Sequence, residues 1–159
     1  MFVQKILSKT ACAGIMLAAF SQFTYAETSP LKAEMNVFKV TDVKKNTKKE
    51  LKATDQVKPK EVLEYQVNYS NVSSDKLKGL KLNLPIPTHV SYIGTSSPNN
   101  AFASVDGVNF EKAPLTRVVN GKKVMVPLNE YRALQWQVNE LKPKQKISVH
   151  AQVRVNASE

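Results

Sequence analysis

Cysteine occurs once in the 159 residues, as Cys12, tryptophan once, and histidine only twice, as His89 and His150. With its single thiol so near the N-terminus, the chain can form no internal disulfide and has no thiolate cluster for a structural metal. The two histidines share no H-x-x-x-H or H-x-H spacing and stand beside no paired carboxylates, so no converging set for metal binding or acid–base work is in view. The five glycines form no phosphate-cradling loop, and no G-x-S-x-G elbow is present. The stretch "SVDGVNF" (104–110) lacks the ladder of acidic oxygens that a calcium loop requires, so a tight turn at Asp106-Gly107 is expected there. Trp136 falls on an apolar phase and reads as a core residue. These absences point to a non-enzymatic protein with no cofactor and no metal.

The N-terminus reads as a targeting segment. Lys5 and Lys9 precede a small and apolar run, "TACAGIMLAAF", and "TYA" (24–26) places small residues where a signal peptidase cuts. Residues 1–26 are therefore expected to be a signal peptide and 27–159 a single exported domain, periplasmic or at the cell surface. The apolar run falls short of the about 20 residues that span a bilayer, and no second run follows. No membrane span is expected in the mature chain. Cys12 has Lys9 where a lipoprotein signal wants leucine, which argues against lipidation.

What the rest of the chain has in abundance is period-two alternation, the mark of half-buried strands. Leu63, Tyr65, Val67 and Tyr69 alternate with polar residues, as do Leu80, Leu82 and Leu84. The same holds for Leu134, Trp136 and Val138, and for Ile147, Val149, Ala151, Val153 and Val155. In "AEMNVFKV" (33–40) the apolar phase flips after Val37, which predicts a bulge or a strand that crosses between sheets. Pro85 and Pro87 predict an edge or a crossing at 84–93. Turn clusters at 70–76, 96–100, 106–109 and Asn120-Gly121 separate the runs. The expected fold is all-β, a two-sheet antiparallel sandwich of about seven or eight strands.

The order of "VKPKEVLEYQVNYSN", "LKGLKLNLPIPTHVSYI", "SSPNNAFASVDGVNF", "PLTR" and "YRALQWQVNELKPKQKISVHAQVRV" resembles the bacterial surface-repeat family called domain of unknown function eleven, over about residues 35–155. The resemblance implies an immunoglobulin-like β-sandwich with no catalytic residue; members are commonly repeats in surface stalks and adhesins. Pro59 and Pro143 match the family's two Pro-Gly turns, Pro87 with Tyr92 its proline-to-tyrosine step, and Asp106-Gly107 its Asp-Gly turn. Lys60, Lys144 and Thr88 or His89 stand where the family has glycine, the residue that most readily takes a positive φ.

A formal net charge of +10 leaves the partner question open to anions. "KKNTKKELKATDQVKPK" holds Lys44, Lys45, Lys48, Lys49, Lys52, Lys58 and Lys60 against Glu50 and Asp55. Those seven are the candidate contact set for an anionic envelope polymer, lipopolysaccharide or acidic glycan, as an alternative to the solvated-hairpin reading. Lysine outnumbers arginine and no aromatic is interleaved, so no nucleic-acid partner is expected. The competing reading is a solvated hairpin turning at Asn46-Thr47, whose lysines guard an edge strand. The function expected from all this is a binding or structural role in the cell envelope, toward an envelope protein or anionic polymer, or as an accessory to a surface assembly or envelope enzyme. The protein would be a monomer or associate weakly through an edge strand.

Overall fold

A computed structural model describes residues 29–42, 45 and 47–157. The expected signal peptide and Lys44 lie outside the described residues. The described residues form eleven strands: β1 (Leu31–Asp42), β2 (Thr47–Glu50), β3 (Val62–Asn71), β4 (Leu77–Pro85), β5 (Val90–Ser97), β6 (Phe102–Ser104), β7 (Glu111–Lys112), β8 (Thr116–Val119), β9 (Lys122–Met125), β10 (Ala133–Leu141) and β11 (Lys146–Val155). One short 3-10 turn, Leu128–Glu130, precedes β10. The count exceeds seven or eight because β2, β6, β7, β8 and β9 have four residues or fewer, too few to show a period.

A five-stranded sheet, in the order β2-β1-β3-β11-β5, packs on a four-stranded sheet, β4-β10-β6-β7. β8 and β9 form a separate two-stranded ribbon. All pairings are antiparallel. Leu63, Tyr65 and Val67 of β3 with Val149, Ala151 and Val153 of β11 meet Leu82 and Leu84 of β4 and Leu134 and Trp136 of β10 in one cluster. The alternation thus places the core as read, since successive strand residues face opposite sides. Burying each leucine or valine contributes about 1.5–3 kcal/mol.

The flip after Val37 marks neither a bulge nor a crossing, because Phe38 simply faces outward in a regular ladder. The ladder of β1 to β3 is unbroken from Leu31 to Lys39, and the register slips only against β2, between Val40 and Asp42. The strand stays in one sheet. Phe38, on the outer face, has the Lys48 ammonium 4.8 Å from its ring centroid, which shields an aromatic that the core does not take. Pro85 ends β4 at one edge of the four-stranded sheet and Val90 opens β5 at one edge of the other, so 86–89 is the crossing between sheets.

Both Lys-Pro-Lys corners keep the backbone that glycine would favour: φ is 71° at Lys60 and 63° at Lys144. The hydrogen bonds around them explain why. The Lys60 N–H donates to Val155 O and the Val155 N–H to Glu61 O, while the Lys144 N–H donates to Asn71 O and the Asn71 N–H to Gln145 O. The corners therefore cap opposite ends of the ten-residue β3, roughly 30 Å apart at strand rise, and do not form one grip. A side chain in this region costs about 1–2 kcal/mol, partly offset because glycine adds about 0.4–1 kcal/mol of unfolded-chain entropy. Lys60→Gly is expected to raise the melting temperature by about 2–4 °C. Lys144→Gly should gain less, since the Lys144 ammonium also donates to Val72 O at 3.1 Å. A fall in melting temperature for Lys60→Gly would contradict this account of the corner.

Candidate functional site

The lysines of 44–60 are spread over several surfaces. Lys48 and Lys49 are consecutive in β2 and point to opposite faces. Lys48 bonds Glu64 at 2.6 Å across the outer sheet face. Lys49 pairs in register with Lys39, whose own ammonium is held by Glu61 at 2.6 Å. Lys45 sits in the β1–β2 turn, its N–H donating to the Asp42 carboxylate. Lys52 and Lys58 lie in the β2–β3 connection, where their N–H groups donate to Asp55 and Glu61, and Lys60 follows at the corner. Lys49, Lys52, Lys58 and Lys60 are exposed and make no ion pair among the described residues.

A polar concavity of about 430 Å³ lies on the outer face of the five-stranded sheet, lined by Lys48, Glu64, Thr95, Ser96, Ser97, His150 and Gln152. Glu64 lines it and is buried. Its Oε1 meets Lys48 Nζ at 2.6 Å and His150 Nδ1 at 3.2 Å, and its Oε2 accepts from Gln152 Nε2 at 3.2 Å. Burial opposes ionisation of this carboxyl, but the hydrogen bonds from Lys48, Gln152 and His150 and the Lys48 charge outweigh it and hold the group below the usual carboxylate range. Both oxygens are occupied within the protein, so Glu64 cross-links β2, β3 and β11 instead of offering a base to solvent.

A depressed folded-state pKa stabilises the fold above the unfolded value, about 4.3, and that contribution disappears as pH falls through the folded value. Denaturant unfolding of wild type and Glu64→Gln is therefore expected to differ most at neutral pH and to converge on acidification below about pH 4. A pH-independent difference would contradict the assignment.

The third surface is the β8–β9 hairpin. Asn120 and Gly121, with φ 51° and 75°, form its two-residue turn, the backbone that best matches the twist of two antiparallel strands. An isolated two-stranded ribbon is marginal in water, and this one is fixed at its base. Leu115 and Val126 are buried, with the Val126 N–H donating to Leu115 O at 2.9 Å. The Leu115 N–H donates to Tyr131 Oη at 2.8 Å, and the Tyr131 ring stacks on Tyr92 at 5.8 Å. Arg117 makes a two-point bond to Glu130 of the 3-10 turn.

Beyond that base the ribbon is exposed on both faces. Cross-strand register puts Thr116, Val118, Lys123 and Met125 on one face and Arg117, Val119, Lys122 and Val124 on the other. Val118 is 73% and Met125 66% exposed; Val119 and Val124 are also exposed. Residues 115–127 carry Arg117, Lys122 and Lys123 and no acid.

The edges of the sandwich, in contrast, are guarded in the ways that discourage strand addition. β2 is short and carries Lys48 and Lys49, and β4 carries Lys78, Lys81 and Pro85. β5 is kinked by a register shift around Gly94, φ 87°, and β7 has two residues. β8 and β9 are as short as β2, and β9 also carries two lysines, but among the described strands at a sheet edge only these two hold large apolar side chains out in solvent.

The remaining sequence expectations fall into place around these surfaces. Trp136 is 2% exposed in the core. His89 is exposed in the inter-sheet crossing and His150 lies on the outer face beside Glu64. Tyr131 is buried, and its hydroxyl accepts from the Leu115 N–H at the hairpin base. Asp106-Gly107 is a tight turn: Gly107 has φ 77°, and bonds from the Asn109 and Val108 N–H groups, the Asn109 amide and Ser104 hold the Asp106 carboxyl well below its usual range. The hairpin itself is what sequence reasoning missed. Asn120-Gly121 marked the turn, but "TRVV" and "KKVM" put apolar residues on both faces and so show no alternation. No described helix is long and apolar enough to cross a membrane. No protein-family model matches this chain, and no curated protein or solved structure matches it either.

Proposed function

We propose that the chain is an exported, non-catalytic β-sandwich module of the bacterial envelope that acts by docking, with the β8–β9 hairpin as its contact element. One observation carries this reading: a separate ribbon, fixed at its base, holds Val118, Val119, Val124, Met125 and three cations out in solvent, while the edge strands of the sandwich expose no large apolar side chain. Exposed apolar side chains gathered on one element mark interaction surfaces more often than scattered ones do. The buried Glu64 agrees with a non-catalytic role, since its oxygens are taken up by Lys48, His150 and Gln152. So does the resemblance to surface-repeat domains, whose members are parts of larger envelope assemblies.

The test separates this reading from capture of an anionic polymer by the 44–60 lysines. One variant replaces residues 116–125 with a short Gly-Ser link; a second changes Lys45, Lys49, Lys52, Lys58 and Lys60 to glutamine. Cross-linking in envelope preparations should be lost with the first and kept with the second. The opposite pattern, with binding that collapses as salt rises, would overturn the docking reading in favour of the polymer.

A further inference from the structure

We infer that the open edge of β9 accepts an extended acidic segment of a partner protein as a third, antiparallel strand; this rests on the hairpin being the docking element. The backbone geometry selects the residues. In a hairpin closed by a two-residue loop, Val119 and Lys122 form the first hydrogen-bonded pair, and bonded and non-bonded pairs then alternate. Arg117 and Val124 are the next bonded pair, and Leu115 with Val126 the one after, which the 2.9 Å bond from Val126 N–H to Leu115 O bears out. Thr116 and Val118 on β8, and Lys123 and Met125 on β9, must therefore turn their N–H and C=O groups away from the ribbon. No backbone hydrogen bond reaches these four residues from elsewhere among the described residues.

Charge decides between the two edges and names the occupant. On β8 the only cation, Arg117, is committed to Glu130. On β9, Lys122 and Lys123 make no ion pair among the described residues. A second copy pairing antiparallel through the same outward residues would set Lys123 against Met125 and leave the lysines of both chains without a carboxylate, so charge does not favour self-association there. An acidic strand meets the opposite condition. Running antiparallel to Lys122–Met125, it places two apolar residues beside Met125 and Val124, then two carboxylates beside Lys123 and Lys122. Lys123 and Met125 supply its main-chain bonds, the usual division of strand addition into backbone affinity and side-chain selectivity.

The probe is a short fluorescent peptide with Val-Val-Glu-Glu at its centre, titrated by anisotropy against the mature chain and followed by amide exchange. Saturable binding is expected, at least about tenfold weaker for a Val-Val-Lys-Lys version, because two cross-strand charge pairs change sign. Exchange should slow at the Lys123 and Met125 amides and not at Thr116 or Val118. Met125→Pro removes an outward N–H and leaves the hairpin ladder intact; it should abolish binding, and Met125→Leu should retain it. The inference is overturned by absent saturation, by equal binding of the charge-reversed peptide, or by protection of the β8 amides instead. It is also overturned if light scattering shows a dimer that Met125→Pro dissociates, or if co-flotation with phosphatidylglycerol vesicles depends on Met125. Peptide failure with hairpin cross-linking intact rejects the acidic strand alone; loss of both rejects the docking reading as well.

Discussion

Trp136→Ala is expected to destabilise the protein by about 3–5 kcal/mol, the largest effect of any single change considered for this chain. Trp136 is 2% exposed and stands opposite Leu82 in the β4–β10 ladder, facing the β3 and β11 side chains across the sandwich. Truncation removes the largest fully buried side chain and leaves a cavity that flanking strands, fixed by their ladders, close only in part. A second contribution is polar. The indole Nε1 donates to Pro98 O at 2.7 Å, holding the segment that leaves β5 against the four-stranded sheet. Domains of this size have about 5–15 kcal/mol in total, so urea unfolding should show a midpoint lowered by about a fifth or more with an unchanged slope. Trp136→Phe, which keeps most of the apolar volume and loses the donor, should cost distinctly less. Equal costs for the two would contradict the packing account.

Asn71→Ala should follow, at about 2–3 kcal/mol. This residue is 1% exposed at the end of β3, yet its side chain is fully engaged. Its Nδ2 donates to Asp75 O at 2.7 Å and to Leu141 O at 2.9 Å; its Oδ1 accepts from Ser73 N–H at 3.0 Å and Ser73 Oγ at 2.7 Å. Leu141 ends β10 in the opposite sheet, so one amide joins the two layers and folds the 71–75 turn beneath them. Its removal takes the amide donor from the buried Leu141 carbonyl. Asn71→Asp is expected to be worse than alanine at neutral pH, since a carboxylate would face two carbonyl oxygens in a buried place. Equilibrium unfolding of the pair checks this ranking; an aspartate variant as stable as wild type would refute the assigned donor role.

The residues differ in how plainly they announce their place. β3 and β11 are long and alternate strictly, so their inward sets, from Leu63 to Tyr69 and Val149 to Val153, could be read directly. The crossing between sheets was legible in Pro85 and Pro87, because a residue without an N–H has no place in a central ladder. Phe38 misled by phase alone: an outward aromatic covered by Lys48 looks, in sequence, like an inward one. The candidate site was less legible. A run of lysines is continuous along the chain, yet a strand sends Lys48 and Lys49 to opposite faces, and the loop carries Lys58 and Lys60 onward to a corner. The hairpin escaped because its valines occupy both faces, and period-two reasoning looks for one. The burial of Tyr131 was not legible because the groups it meets, the Tyr92 ring and the Leu115 N–H, lie far away along the chain.

The docking claim is tested most directly by placing a photo-reactive phenylalanine analogue, one position at a time, at Val118, Met125, Lys81 and Ser148, and irradiating living cells. Val118 and Met125 sample the hairpin, Lys81 the edge strand β4, and Ser148 the outer face of the five-stranded sheet. Discrete adducts at Val118 and Met125, with none at Lys81 or Ser148, are the predicted result. Adducts at Ser148 or Lys81 with a silent hairpin would contradict the account.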